Sequence, residues 1–384
     1  MHKKMITVII DGSADRGQEA LEGMTPYEAA NTPVMDSLFR RSMAAGTVVS
    51  IPEGLEIGSA VANLNFLGFD PYQYQGRAAV EAAGAGIKTN PDNLYIRTNF
   101  CTFEGEDYAH AKIKSYSAYD VATEKARPLN EMLQRELFSK YGMTLHYAGS
   151  FRNILEVPGG KKLYPVELAP AHDIIGQPIS QYIYDDEKSK VFFELQEKCY
   201  ELLKDSGCEV NGVWFWGASI PPVITGDTKG RKAFAETVLM QGITAIAGLE
   251  LYSCPEEYRL PRLLTDKLEK ALEAINGDYD NIYVHIQECD DLAHEREPMR
   301  KKVALELIDM MVGNLVNGIE GDFNMLLASD HYTYSDTGAH GGSPTPFFIY
   351  DSTNEVEREG AFTEQNCIDT GLVLTMPELH AMRK

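Results

Sequence analysis

The chain has no Cys-x-x-Cys pair; its six cysteines, Cys101, Cys199, Cys208, Cys254, Cys289 and Cys367, are scattered. That spacing argues against paired-thiol zinc and redox motifs and for a reduced, cytoplasmic protein. No apolar stretch reaches the roughly 20 residues that a membrane-spanning helix needs. The N-terminus, Met1-His2-Lys3-Lys4, runs into a short strand-like segment ending at Asp11, without the length or small-residue cleavage site of a secretion signal. Positive charge is also scarce: 35 Lys and Arg stand against 57 Asp and Glu, a net charge of −22, and no run gathers the basic residues. This balance excludes a general role on nucleic acid or an anionic membrane. An anionic substrate would need a locally basic pocket, whereas divalent cations suit the overall field. Internal repeats and low-complexity tracts are missing as well.

What is present is a chain of 384 residues, 44% hydrophobic and 24% charged, the composition of a soluble globular enzyme. It is too long for one hydrophobic core and implies two domains, or a large core carrying an insert. Three segments share one design: Met5–Ile10 before Asp11, Ile282–Ile286 before Asp290, and Met325–Ala328 before Asp330. Each is an apolar run of strand length leading into polar residues able to bind metal. In open parallel α/β sheets ligands sit beyond the carboxyl ends of the strands, so acidic residues after three strands can converge on one site. Further strands are expected at Val213–Trp216, Ile243–Ala247 and Phe347–Tyr350, and helices at Thr32–Arg41, Val191–Lys204, Lys267–Ile275 and Arg300–Val316. Strands alternating with helices at both ends of the chain point to a doubly wound α/β core formed by residues 1–92 and 206–384. The middle, 93–205, has strand-like Leu94–Thr102, a helix around Val121–Lys140 and strands near Leu145–Tyr147 and Asn153–Val157, which reads as an inserted α+β domain.

Asp330-His331 followed by His340 supplies carboxylate and imidazole donors of the type zinc, manganese and iron use. Asp290 and His294 lie four residues apart and would share a helix face; the plainer alternative is that Asp290 caps a helix and His294 is solvated. With Asp11 after the first strand these clusters give three carboxylates and three histidines, enough for two metal sites with a position open to substrate. Gly58-Ser59 precedes an apolar helical stretch, so Ser59 would sit at a helix N-terminus that favours phosphate, either as nucleophile or as a plain cap. A hydroxyl attacks well only when a base or metal removes its proton.

Asp11-Gly12, Thr25-Pro26-Tyr27-Glu28-Ala29-Ala30-Asn31-Thr32-Pro33, Gly58-Ser59 with Leu67-Gly68-Phe69-Asp70-Pro71, Gly76-Arg77, Asp290-x-x-x-His294 and Asp330-His331-x-Thr333 with His340 occur in one order along the chain. This series resembles the cofactor-independent phosphoglycerate mutases of the shorter, archaeal type, members of the alkaline phosphatase superfamily. The resemblance implies an alkaline-phosphatase-like core with the insert as a substrate-binding cap. It also implies two divalent ions, Mn2+ or Zn2+ with Mg2+ as an alternative. One would be held by Asp11, Ser59, Asp330 and His331, the other by Asp290, His294 and His340. Ser59 would become phosphoserine while 3-phosphoglycerate is converted to 2-phosphoglycerate.

The pattern departs from that family in the insert. Where the mutase cap presents two adjacent arginines, this chain has Lys112-Ile113-Lys114, and a lysine ammonium lacks the bidentate fork of a guanidinium. The usual lysine before Asp-x-x-x-His is Gln287, and the acidic residue after the nucleophile is Ala60. These features, with Ala171-His172-Asp173 and Val213-Trp214-Phe215-Trp216-Gly217, resemble a bacterial branch of the family proposed to act as homoserine kinases. Arg77, Arg97, Lys112 and Lys114 are the candidates for holding a small phosphorylated substrate. Arg152, His172 and Asp173 are the candidates for aiding transfer, although Arg152 could simply lie along apolar surface and His172-Asp173 form a turn. The activities in competition are the mutase, a homoserine kinase-like transferase and a metal-dependent phosphatase.

Overall fold

The three apolar runs form the strands Lys4–Ile10, Asn281–Ile286 and Phe323–Ser329, and they lie side by side. The first is central and pairs in parallel with both others, Ile10 standing level with Ile286 on one side and Ser329 on the other. Their carboxyl ends therefore finish along one line. Asp11, the turn into Asp290 and Asp330 leave the sheet at the same edge, as the strand-end argument requires. Burial on both faces explains the near-continuous Ile, Val, Leu and Met character of these segments.

The computed structural model describes residues 3–184, 186–255, 257–342, 344–354 and 356–383. The sheet has eight strands, in the order Val373–Thr375, Ala44–Val49, Thr345–Asp351, Phe323–Ser329, Lys4–Ile10, Asn281–Ile286, Arg231–Phe234 and Glu250–Tyr252. It is mixed: Thr345–Asp351 runs antiparallel to both neighbours. The α/β class expected from the sequence is what the chain adopts. Helices Pro33–Arg41, Arg262–Asn276 and Pro298–Gly318 pack apolar faces into the core beneath Ile6, Val8 and Ile10. One expected strand is wrong. Ile243–Ala247 belongs to the helix Val238–Ala247, where Leu239, Met240, Ile243 and Thr244 form a buried face of helical period. Thr237 caps that helix by accepting from the Met240 amide, and Gly248 ends it in the left-handed conformation. Packing overrode the β-branched bias of a short window.

The chain divides into two compact units, one running to Tyr74 and resuming at Ile224, the other Gln75–Val223. The boundaries lie outside the 93–205 expected for the insert. The second unit has an antiparallel five-stranded sheet built around Leu94–Glu104, which pairs with Lys112–Ser115, Arg152–Val157 and Gly212–Ser219; Thr144–Tyr147 extends it beyond Arg152–Val157. Val213–Trp216, expected in the core sheet, is thus part of this one. Helices Thr123–Glu136 and Lys190–Leu203 cover it, and Phe100, Phe138, Phe192, Trp214 and Phe215 give the unit its own hydrophobic core. Among the described residues no helix is long and apolar enough to cross a membrane.

Candidate active site

Asp11, Asp330 and His331 are fully buried at the strand ends, with Asp290 5% exposed beside them. The Ser59 hydroxyl lies 3.2 Å from each Asp11 oxygen and 3.1 Å from His331 Nε2. Ser59 is the first residue of the helix Ser59–Phe66, but Gly58 occupies the cap position. The serine oxygen is therefore spent on the cluster rather than on closing its own helix, and the plain-cap alternative falls away. Ser59 as a whole is half-buried.

Asp290 and His294 sit one turn apart in the helix Glu288–His294, Asp290 Oδ2 lying 3.3 Å from His294 Nε2. Asp290 is inside the helix, not at its cap, so that half of the second plain alternative fails, while His294 remains exposed. A short hairpin after Asp330-His331 pairs Tyr332–Tyr334 with Ala339–Gly341 and sets Thr333 opposite His340. This fold-back returns His340 to the site, with its Nε2 3.0 Å from His294 Nε2 and 3.6 Å from Asp290 Oδ1. The seven residues expected as metal ligands thus come together as two adjoining groups. Asp11 stands between them, within reach of Asp290 and His331.

The supporting contacts are specific. Thr333 donates its hydroxyl to Asp290 Oδ1 at 2.6 Å, and the Gly12 amide donates to Asp330 Oδ1 at 2.9 Å. Asn63 Nδ2 bridges the Ser59 carbonyl and Asp330 Oδ2, while Tyr283 donates to Asn63 Oδ1. Lys301, fully buried, pairs with Asp15 at 3.0 Å and donates to the Thr333 carbonyl at 2.9 Å, which fixes the hairpin from below. Sequence reasoning missed Asn63, Tyr283 and His285. The signal for the last two was the alternation in Asn281–Ile286: Ile282, Val284 and Ile286 face the core, leaving Tyr283 and His285 on the other side.

Burial pushes the Asp330 carboxyl up to about 7, with the Asp11 charge adding to the effect. Burial opposes a charge on His331, but Asp330 and Asp11 outweigh it and raise the imidazole to about 10. Burial likewise opposes the Asp290 charge, yet His294 and His340 hold its carboxyl below the ordinary range. Carboxylates and imidazoles this close retain protons that a cation would displace. Two imidazole nitrogens 3.0 Å apart, each within 3.6 Å of an Asp290 oxygen, make a donor set that fits a divalent cation.

Gly12 shows how tightly the group is built. Its φ is +55°, and an added Cβ would lie 2.5 Å from both Asp290 Oδ1 and Thr333 Oγ1. Gly12→Ala forces that pair apart besides straining the backbone. The expected result is a loss of activity of ~100-fold or more, the order that a 1 Å misplacement causes. Weaker metal binding should accompany it, and calorimetric titration with Mn2+ alongside the rate assay checks both.

The remaining candidates lie in the second unit. Glu81 binds Arg77 at 2.6 Å and Arg97 at 2.9 Å. The Arg97 guanidinium stacks over Trp216 at 3.7 Å, His172 packs edge-on against the same indole, and Tyr116 links His172 to Phe151, over which Arg152 lies. Arg77, Arg97, His172 and Arg152 therefore share one aromatic-lined group. Asp173 is exposed beside His172, 3.6 Å away. Lys112 and Lys114 sit on the strand Lys112–Ser115, and Lys114 turns toward Glu104 at 3.9 Å rather than joining that group.

Residues 41–209 match the family described as 2,3-bisphosphoglycerate-independent phosphoglycerate mutase. A protein of that name from Methanothrix thermoacetophila is 30% identical, covering 96% of each chain, and one from Methanosarcina mazei is 31% identical, covering 94% of each. Among solved structures, the PH0037 protein from Pyrococcus horikoshii aligns with a TM-score of 0.80 at 22% identity, covering 100% of this chain and 97% of that one. The cofactor-independent phosphoglycerate mutase from Thermoplasma acidophilum aligns at 0.63 and 20%, covering 99% and 98%. These two establish likeness of fold. With identity of 30% sustained over nearly its whole length, the chain belongs to the 2,3-bisphosphoglycerate-independent phosphoglycerate mutase family.

Proposed function

We propose that this protein is a metal-dependent phosphoglycerate mutase that interconverts 3-phosphoglycerate and 2-phosphoglycerate through phosphorylated Ser59. The observation that carries the proposal is the Ser59 hydroxyl held within 3.2 Å of both the Asp11 carboxylate and the His331 imidazole. One divalent cation would be held by Asp11, Ser59, Asp330 and His331, and a second by Asp290, His294 and His340. When bound, the cations supply charge that favours the ionised serine and neutralises the transferring phosphoryl group. Mixed imidazole and carboxylate donors favour manganese or zinc over magnesium.

Ser59 Oγ loses its proton and attacks phosphorus as the bond from phosphorus to the first glycerate oxygen breaks, and that oxygen takes up a proton to become a hydroxyl. The neighbouring glycerate hydroxyl then loses its proton and attacks phosphoserine as the Ser59–phosphorus bond breaks, and Ser59 Oγ regains a proton. His172 with Asp173 would manage the proton on that hydroxyl, and Arg152 would steady the transferring group. We assign the chemistry to the first unit and substrate binding to the second. There Arg97, preset by Trp216 and Glu81, offers a planar cation to phosphate or carboxylate, with Arg77, Lys112 and Lys114 adding positive charge. Exclusion of water while phosphoserine persists would separate a mutase from a phosphatase.

The deciding experiment supplies 3-phosphoglycerate alone to Mn2+-loaded protein and follows 2-phosphoglycerate by coupling to enolase. No isomerisation would refute the proposal. Arg97→Ala should lower kcat/KM by ~10- to 100-fold, the loss of one charge-assisted contact worth about 1.5–3 kcal/mol. An unchanged kcat/KM would remove Arg97 from the substrate site. One observation favours a second reading, a transferase acting on homoserine or another small alcohol: Glu81 places a carboxylate among the arginines, as an ammonium-bearing substrate would require. Homoserine with a phosphoryl donor, run in parallel, distinguishes the two.

A further inference from the structure

His285 stands one residue short of the end of the strand Asn281–Ile286, level with Ile9 on the neighbouring strand. It is fully buried, and neither ring nitrogen makes a hydrogen bond. Its Nε2 nevertheless lies 3.1 Å from Asp11 Oδ2, close enough for a hydrogen bond but off the direction one needs. One donor atom each from Asp11, His285 and Asp330 falls within 4.8 Å of the others, and all three residues are buried. The backbone at His285 is held in place, since the buried Lys267 ammonium donates to the His285 carbonyl at 2.6 Å and to Glu236 at 2.6 Å.

The spacing of these atoms is informative. Ser59 Oγ to Asp11 is 3.2 Å, Ser59 Oγ to His331 Nε2 3.1 Å, His331 Nε2 to Asp11 Oδ1 3.2 Å, and His285 Nε2 to Asp11 Oδ2 3.1 Å. Donors at right angles around an ion with bonds of about 2.1–2.2 Å stand roughly 3 Å apart. The His285 nitrogen takes the same separation from Asp11 as the two groups already assigned to that ion. An imidazole that merely filled space would turn a nitrogen to a hydrogen-bonding partner, as buried polar groups do.

We propose that His285 is a further ligand of the ion held by Asp11, Ser59, Asp330 and His331. That ion then carries two imidazoles, one from the loop after Phe323–Ser329 and one from within Asn281–Ile286, and the neighbouring strands grip it from both sides of Asp11. The proposal rests on the metal-dependent reading of the site.

Pulsed electron paramagnetic resonance on the Mn2+-loaded wild-type protein counts coordinated imidazoles. Four for two bound ions is the expected result, from His285 and His331 at one and His294 and His340 at the other; three would overturn the proposal. His285→Asn should weaken Co2+ binding at one of two sites by ~10- to 100-fold or more, the range seen when even an outer partner of a ligand is lost. It should also strengthen the visible Co2+ absorption as coordination number falls. The ion-free variant should melt close to ion-free wild type, with the rise in melting temperature on adding metal reduced. A variant that melts lower in both forms by the same amount, with unchanged Co2+ spectra, would make His285 a packing residue and leave the metal-dependent reading intact. Wild-type protein that binds neither Mn2+ nor Co2+ would overturn both.

Discussion

Ser59→Ala protein is expected to fold, to bind both ions and to transfer no phosphate. The hydroxyl contributes nothing to closing its helix, because Gly58 is the cap residue, and its polar partners are Asp11 and His331. The Asn63 bond to the Ser59 carbonyl survives the change, so the helix N-terminus keeps its place. Asp11, Asp330 and His331 remain as donors to the ion that Ser59 would share. What disappears is the hydroxyl oxygen proposed to accept the phosphoryl group at this cluster. Loss of a covalent nucleophile costs on the order of 10⁴- to 10⁶-fold in kcat. The enolase-coupled rate measures that loss, while mass spectrometry of substrate-incubated protein should find phosphoserine in the wild type and none in the variant. Turnover by the alanine protein within tenfold of wild type would mean that phosphate moves directly between bound alcohols.

The core of this site was legible because it follows from short-range rules. Three apolar runs ending in acidic residues required only that parallel strands present their carboxyl ends together, and the register of Ile10 with Ile286 and Ser329 supplies the alignment. The four-residue spacing of Asp290 and His294 is a helix-face statement and needed no tertiary information. His340 was harder, since ten residues of separation say nothing about a hairpin; its place in the motif series carried the assignment. His285 was legible only in part. The alternation in its strand sets it on the face away from the core, but its meaning comes from Asp11 at the end of a neighbouring strand far away in sequence.

The second unit was less legible for a related reason. Val213–Trp216 was correctly a strand, but whether it belonged to one sheet or the other depended on pairing with Leu94–Glu104 across more than a hundred residues. Side chains that prepare Arg97, namely Glu81 from a helix and Trp216 from that strand, come from two segments outside the 93–205 expected for the insert. Reading the basic residues one by one gave candidates without their partners. The carboxylate that binds two of them, and so sets how much charge they offer a substrate, emerges only in three dimensions.

Asp11→Asn should abolish activity by a different route from Ser59→Ala, and the contrast tests the proposed two-ion site as a whole. The Asp11 carboxylate is completely buried and is the common neighbour of Ser59 Oγ, His331 Nε2 and His285 Nε2, with Asp290 also within reach. An asparagine of the same shape removes the negative charge and turns an amide N–H₂ toward nitrogens that would otherwise accept a cation. In a buried setting the lost attraction is not screened by solvent, so the ion nearest Ser59 should be released. Metal analysis of the purified protein should then find one ion per chain where wild type and Ser59→Ala are expected to hold two. Without that ion the serine keeps its ordinary, poorly nucleophilic hydroxyl, and kcat should fall by roughly 10³-fold or more, since both nucleophile activation and charge neutralisation are lost together. Retention of two ions together with turnover near wild type would show that Asp11 is a bystander, and the assignment of the strand-end cluster as the catalytic metal centre would fail with it.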